Sequence, residues 1–134
     1  MLVYQSSPLQ RGDIVRVGPD QNGRLWAKRV VGLPGETVEI QPPYVLIDGE
    51  KLLDPPIFSK ISSRAEGYAG YVNAEDMGFK GIALPITLGT DEYFLLGDNS
   101  PKSGDSRLFG PVSRENIHGK VMRVVFPPWR IREL

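Results

Sequence analysis

The sequence has 134 residues, enough for one domain with a real core, and its 16 basic and 16 acidic side chains cancel to a formal charge of zero. That balance gives no electrostatic case for nucleic acid or a polybasic membrane contact, and the lack of cysteine removes disulfides, thiolate zinc sites and cysteine nucleophiles. With a single histidine, His118, a multi-histidine metal centre is also excluded.

No segment approaches the roughly 20 apolar residues of a membrane-spanning helix, and no secretory signal opens the chain, which therefore reads as soluble and globular. Fifteen glycines and twelve prolines, spread throughout, predict many turns and few long helices. Asp13-Ile14-Val15-Arg16-Val17 alternates as a strand and stops at Gly18-Pro19-Asp20. A second apolar run, Arg24 to Gly32, closes on Leu33-Pro34-Gly35, and Thr37-Val38-Glu39-Ile40 alternates cleanly. Tyr44–Ile47 and Glu50–Leu53 flank Asp48-Gly49, the pair that supplies the positive φ angles of a primed hairpin turn. Residues 54–84 carry the least pattern and read as a loop-rich excursion with room for a short hairpin. Glu92–Leu96 and Lys120–Phe126 are further strands, the latter ended by Pro127-Pro128. Between them, Ser113 caps a single predicted helical turn before Gly119. The expectation is one all-β domain over residues 1–134, built of short, mostly antiparallel strands with at most one short helical turn.

Three stretches exceed ordinary β-domain punctuation. Arg11-Gly12-Asp13 is weak by itself, because a turn leading into a strand explains it as well as a recognition motif does. Lys28, inside Trp26-Ala27-Lys28-Arg29-Val30-Val31, shares one strand face with Trp26 and Val30, while Ala27, Arg29 and Val31 share the other. Such a lysine either lays its stem on the sheet and sends its ammonium to water, or is kept dry as a general base. The second role requires a hydroxyl to orient it and a nucleophile to deprotonate. Gly97 to Arg107 offers that hydroxyl: Ser103 and Ser106 lie among Asp98, Asp105 and Arg107. A loop whose polar side chains satisfy its own backbone has the same composition, so both readings stay open.

Taken together, Lys28-Arg29-Val30-Val31-Gly32-Leu33-Pro34-Gly35-Glu36 and Gly97-Asp98-Asn99-x-x-x-Ser103-x-Asp105-Ser106-Arg107-x-Phe109-Gly110-x-Val112 resemble two signature boxes of the type I signal peptidases. Arg11-Gly12-Asp13-Ile14-Val15 resembles a third, and the likeness runs from about residue 2 to the C-terminus. The resemblance implies a membrane-anchored serine/lysine endopeptidase with an all-β catalytic domain, a β-barrel or sheet, on the extracytoplasmic face. Its substrates are signal peptides of exported preproteins, cut after small residues in an Ala-x-Ala pattern. By the same resemblance Lys28 is the general base and Ser103 the hydroxyl that orients it. Asp98, Arg29, Asp105 and Arg107 are the charges that buttress the site, and Trp26 and Ala27 line the substrate cleft. No cofactor or metal is implied.

The departures are as informative. The family's nucleophile lies in a Ser-Met-x-Pro box upstream of Arg-Gly-Asp, and no such box can be read here; Ser6 and Ser7 sit only a few residues before Arg11. The resemblance therefore implies that the serine and the membrane anchor lie outside this chain, which alone is expected not to cleave peptides. Arg16 stands where the family carries an aliphatic residue, and Ser100 where it often carries arginine. A competing reading is a non-catalytic β-domain that binds extended peptides or partners through the cleft. Without the first strand an open sheet edge is expected, which invites self-association.

Overall fold

In a computed structural model of the protein, residues 2–5 and 8–124 are described; Ser6, Ser7 and the Pro127-Pro128 stop lie outside them. The strand signals become two antiparallel sheets. Strands β1 (Leu2–Gln5), β2 (Ile14–Val17), β3 (Trp26–Gly32), β4 (Thr37–Gln41), β5 (Tyr44–Ile47) and β6 (Glu50–Lys51) come first. After the excursion come β7 (Ile86–Thr87), β8 (Glu92–Leu96), β9 (Val112–Ser113) and β10 (Ile117–Val124). One sheet has the order β1-β10-β2-β3-β8-β9 and the other β6-β5-β4-β7. The Asp48-Gly49 turn has φ angles of 51° and 85°, as a primed turn demands, and joins β5 to β6.

β3 and β8 contribute apolar side chains to both of the core clusters. Val31, Phe94 and Leu96 face the second sheet and pack with Val38, Ile40 and Val45. Val30 and Leu95, on the opposite face, pack with Val15, Val112 and Ile117. The β3–β8 register shifts between Val30 and Gly32. There the sheets approach so closely that a Cβ on Gly32 would stand 2.7 Å from Val38 and 2.9 Å from Leu88 and Phe94, leaving room for glycine alone.

The all-β class holds, but helical structure exceeds the one expected turn. The turn after Ser113 forms as a 3-10 helix at Arg114–Asn116, though the Ser113 hydroxyl does not cap it. Two short helices join it: α1 (Pro56–Ser62) and α2 (Ser106–Phe109). In α1, Pro55-Pro56 reads as a breaker in sequence, yet proline at the first helical position loses no hydrogen bond. Phe58 and Ile61, three apart, then reach the core from one face. The excursion 54–84 thus contributes a helix and two 3-10 turns, at Ala65–Gly67 and Ala74–Met77, and no hairpin among the described residues. No helix among them is long and apolar enough to cross a membrane.

Candidate active site

Period-two alternation along β3 decides the site. Lys28 turns to the Val30 face and Arg29 to the opposite one, and the loop that follows β8 grips both. On one side the Lys28 Nζ donates to Ser103 Oγ at 3.0 Å, with both residues almost fully enclosed (2% and 4% exposed). On the other side Arg29 Nε and Nη2 donate to the two oxygens of Asp98 at 2.8 Å each, a bidentate pair, while Nη1 donates to the Gly12 carbonyl at 2.8 Å. Burial pulls the Arg29 pKa down, and the hydrogen bonds and charge of Asp98 more than offset it, so the guanidinium stays charged. Tyr71, buried beside this pair, has its phenol pushed up by desolvation first and by Asp98 second.

The loop itself is built around Arg107, whose side chain is enclosed with that of Asp105. Arg107 Nε and Nη2 donate to the Asp105 carboxylate at 2.8 Å each. Nη1 donates to the Val72 carbonyl and Ser100 Oγ, and Nη2 to the carbonyls of Ser100 and Ser103. The last of these, at 3.0 Å, fixes the backbone of the residue whose hydroxyl meets Lys28. Asp105 also accepts from the backbone N–H groups of Gly97 and Arg107, and so caps α2. Ser106 Oγ accepts from the Leu95 N–H and ties the loop to β8. The loop satisfies its own backbone, and in doing so it sets the Ser103 hydroxyl beside Lys28.

Arg-Gly-Asp is consumed within the fold. Arg11 forms a bidentate pair with Glu36 (2.7 and 2.6 Å) and donates to the Val31 carbonyl, while Glu36 also accepts from the Leu33 N–H. The first two boxes are thereby clamped around the turn that ends β3.

Above Lys28 opens a cleft of about 930 Å³. The tip of the β2–β3 hairpin, from Val17 to Asp20, forms one wall with Trp26; Lys102, Gly104, Phe109 and Pro111 form the other. Trp26 lies beside the lysine, its ring centroid 5.5 Å from Nζ, and its indole N–H donates to Asp20 at 3.0 Å. Ala27 lies on the Arg29 face of β3 and is not among the described lining residues. Arg16 pairs across from Ala27 on that same face. The structure thus brings Lys28, Ser103, Asp105 and Arg107 into one network, and Arg29 and Asp98 into a second beneath it. Sequence reasoning missed the Asp20 brace, the Ser100 link, and Phe109 and His118 on the cleft lining. An Asp two residues after a glycine, preceding a tryptophan by six, was the available signal for the first.

A family model described as signal peptidase, peptidase S26, matches residues 1–126. A signal peptidase I P from Bacillus subtilis subsp. natto is 33% identical over 131 residues, covering 93% of this chain and 63% of that protein. A signal peptidase I from Leptolyngbya laminosa is 34% identical over 139 residues, covering 98% of this chain and 60% of that protein. The crystal structure of a signal peptidase I from Enterococcus faecalis V583 superposes with a TM-score of 0.66 at 31% identity, over 88% of this chain and 100% of that one. An all-β domain of the signal peptidase type is the class these likenesses define. The chain belongs to the signal peptidase, peptidase S26, family. It spans 63% and 60% of the length of the two curated relatives named above.

Proposed function

We propose that residues 1–134 form one catalytic domain of a signal peptidase I-like endopeptidase, in which Lys28 is the general base. The observation that carries this reading is the enclosed Lys28 Nζ at 3.0 Å from Ser103 Oγ, on the floor of an open cleft. A neutral lysine that donates one N–H to Ser103 keeps its lone pair for another proton donor. That donor is the family's nucleophilic serine, which in this reading comes from a segment outside the given residues, as does a membrane anchor that places the domain on the extracytoplasmic face.

The serine Oγ adds to the carbonyl carbon before the cut while its proton passes to Lys28 Nζ. The ammonium returns that proton to the departing amine, leaving an acyl-enzyme. Water attacks next and gives its proton to Lys28. The lysine passes it to the departing serine Oγ as the acyl group leaves as the carboxyl product, restoring serine and neutral lysine. Arg107 and Asp105 hold Ser103, and Arg29 with Asp98 holds the loop from the far face. Trp26 and Ala27 belong to the substrate-binding strand, along which an extended signal peptide lies with small residues before the cut.

The test uses the complete protein and a preprotein with an Ala-x-Ala site. Lys28→Ala is expected to lower turnover by about 10²–10⁴-fold with binding retained. Cleavage that survives this substitution removes Lys28 from the mechanism. Saturable peptide binding by a complete protein that never cleaves would instead favour a peptide-binding module. For the chain alone, self-association along the outer edge of β1, the last strand of its sheet, is expected in light scattering.

A further inference from the structure

The cleft contains a charge that the chemistry above does not use. Its described ionisable lining groups are Asp20, Lys28, Lys102 and His118. Asp20 is occupied: its carboxylate accepts from the backbone N–H groups of Asn22 and Arg24 and from the Trp26 indole. Lys28 is committed to Ser103, and His118 Nε2 is in hydrogen-bond contact with the Gly18 carbonyl oxygen. Lys102 differs from all three. It is exposed and makes no hydrogen bond or ion pair through its ammonium among the described residues.

Its position is nevertheless fixed. Lys102 ends a 3-10 turn, Ser100–Lys102, whose first residue is buried and held by Arg107. Its own N–H donates to the Asn99 carbonyl at 3.0 Å. The next residue is Ser103, so the Cα atoms of Lys102 and of the lysine-orienting serine are about 3.8 Å apart. An extended peptide advances about 3.3 Å per residue. The flexible stem of Lys102 therefore sweeps the one or two peptide residues that flank the bond presented to Lys28.

We propose that Lys102 is a specificity-determining residue of this cleft, selecting peptides with an acidic side chain within two residues of the cut. This rests on the peptide-cleaving reading of the cleft. A compact ammonium in a half-enclosed groove attracts a carboxylate and repels another cation, and this charge lies on the rim, where it acts on partner choice more than on raw affinity. The effect is salt-dependent for the same reason.

The experiment measures binding of extended peptides to the intact chain by calorimetry, at low and high salt. Each peptide carries Ala-x-Ala before the cut, with Glu, Gln or Lys either at x or at one of the two positions after the cut. At one or more of these positions the Glu peptide is expected to bind about three- to tenfold tighter than the Lys peptide. Lys102→Gln erases that ratio, Lys102→Glu inverts it, and high salt compresses it. Because Lys102 is exposed, both variants are expected to unfold at the wild-type urea midpoint. Gln peptides that bind while the Glu-to-Lys ratio stays the same in all three proteins would overturn this proposal alone. Failure of every peptide to bind would overturn the peptide-cleft reading and this proposal with it.

Discussion

Lys28 and Ser103, 75 positions apart in the chain, meet at 3.0 Å with both side chains enclosed. An enclosed amine is costly unless its hydrogen bonds are made, so the pair is more than a chance contact. Ser103→Ala removes the acceptor while leaving the lysine in place. In the complete protein kcat is expected to fall by about 10–100-fold with KM little changed, since in the proposed mechanism the orientation of Lys28 matters in the transition state more than in binding. Stability is expected to fall by about 1–3 kcal/mol, the cost of leaving a buried donor without this acceptor. Steady-state kinetics set beside urea unfolding separates the two. A loss of several kcal/mol with kcat unchanged would make Ser103 a structural residue only.

Arg107 and Asp105 present the opposite balance. Both are enclosed, and the guanidinium makes six hydrogen bonds, two of them to Asp105. Arg107→Met deletes the cation and leaves Asp105 buried without its partner, which is expected to cost about 3–5 kcal/mol. Replacing both, Arg107→Met with Asp105→Leu, is expected to cost less than the two single changes added together. Urea unfolding of the three variants checks this, and strict additivity would mean that the two side chains do not act as a pair.

Much of this was legible in sequence because strand signals are local. Alternation placed β2, β4 and β8 within one residue, and it put Lys28 and Arg29 on opposite faces of β3. Asp48-Gly49 located its hairpin because only a few residues tolerate positive φ. What sequence hid was tertiary. α1 is seven residues long and has no capping side chain, so its only local mark is a pair of prolines that reads equally as a break. The grip of the 97–107 loop on both faces of β3 depends on β8 being the neighbour of β3, a pairing made across more than 60 residues. The resemblance supplied the residues Ser103, Asp98 and Arg107, but not that they form two separate networks. Nor did it suggest that the Arg-Gly-Asp arginine is spent on Glu36.

Asp20 and Trp26 give the cleft wall an acid-sensitive brace. The Asp20 pKa lies below the ordinary carboxylate value, chiefly through the Arg24 N–H, then through Asn22 and the indole of Trp26. A depressed pKa means the brace is fully present above the unfolded value of ~3.9 and is lost as pH falls through the lower folded one. In a Trp129→Phe background, which leaves Trp26 as the sole indole, emission is expected to stay constant from pH 7 to about 4 and to shift only below that. Asp20→Asn weakens the brace at every pH and is expected to abolish the acid transition. A transition centred above ~4 would mean that Asp20 is not what holds the ring.

Tyr71 carries the converse sign. Its hydroxyl is buried and finds no hydrogen-bond partner among the described residues, and its pKa is raised, first by burial and then by the Asp98 carboxylate. A raised folded-state pKa contributes stability that is full below the unfolded value of ~10. That contribution is lost as pH climbs toward the folded value, because the unfolded chain gives up this proton first. Tyr71→Phe deletes both the orphaned hydroxyl and the titration. At pH 8 the variant is expected to be as stable as the parent, or more stable by about 1 kcal/mol, since no hydrogen bond is lost with the oxygen. Above pH ~10 its advantage should widen, because only the parent pays for keeping a phenol protonated in the core. Urea midpoints at pH 8 and at pH ~11 decide the matter. A parent that outlasts the variant at the higher pH would mean that the Tyr71 hydroxyl is bonded in solution and that Arg29 and Asp98 are less isolated than their geometry indicates.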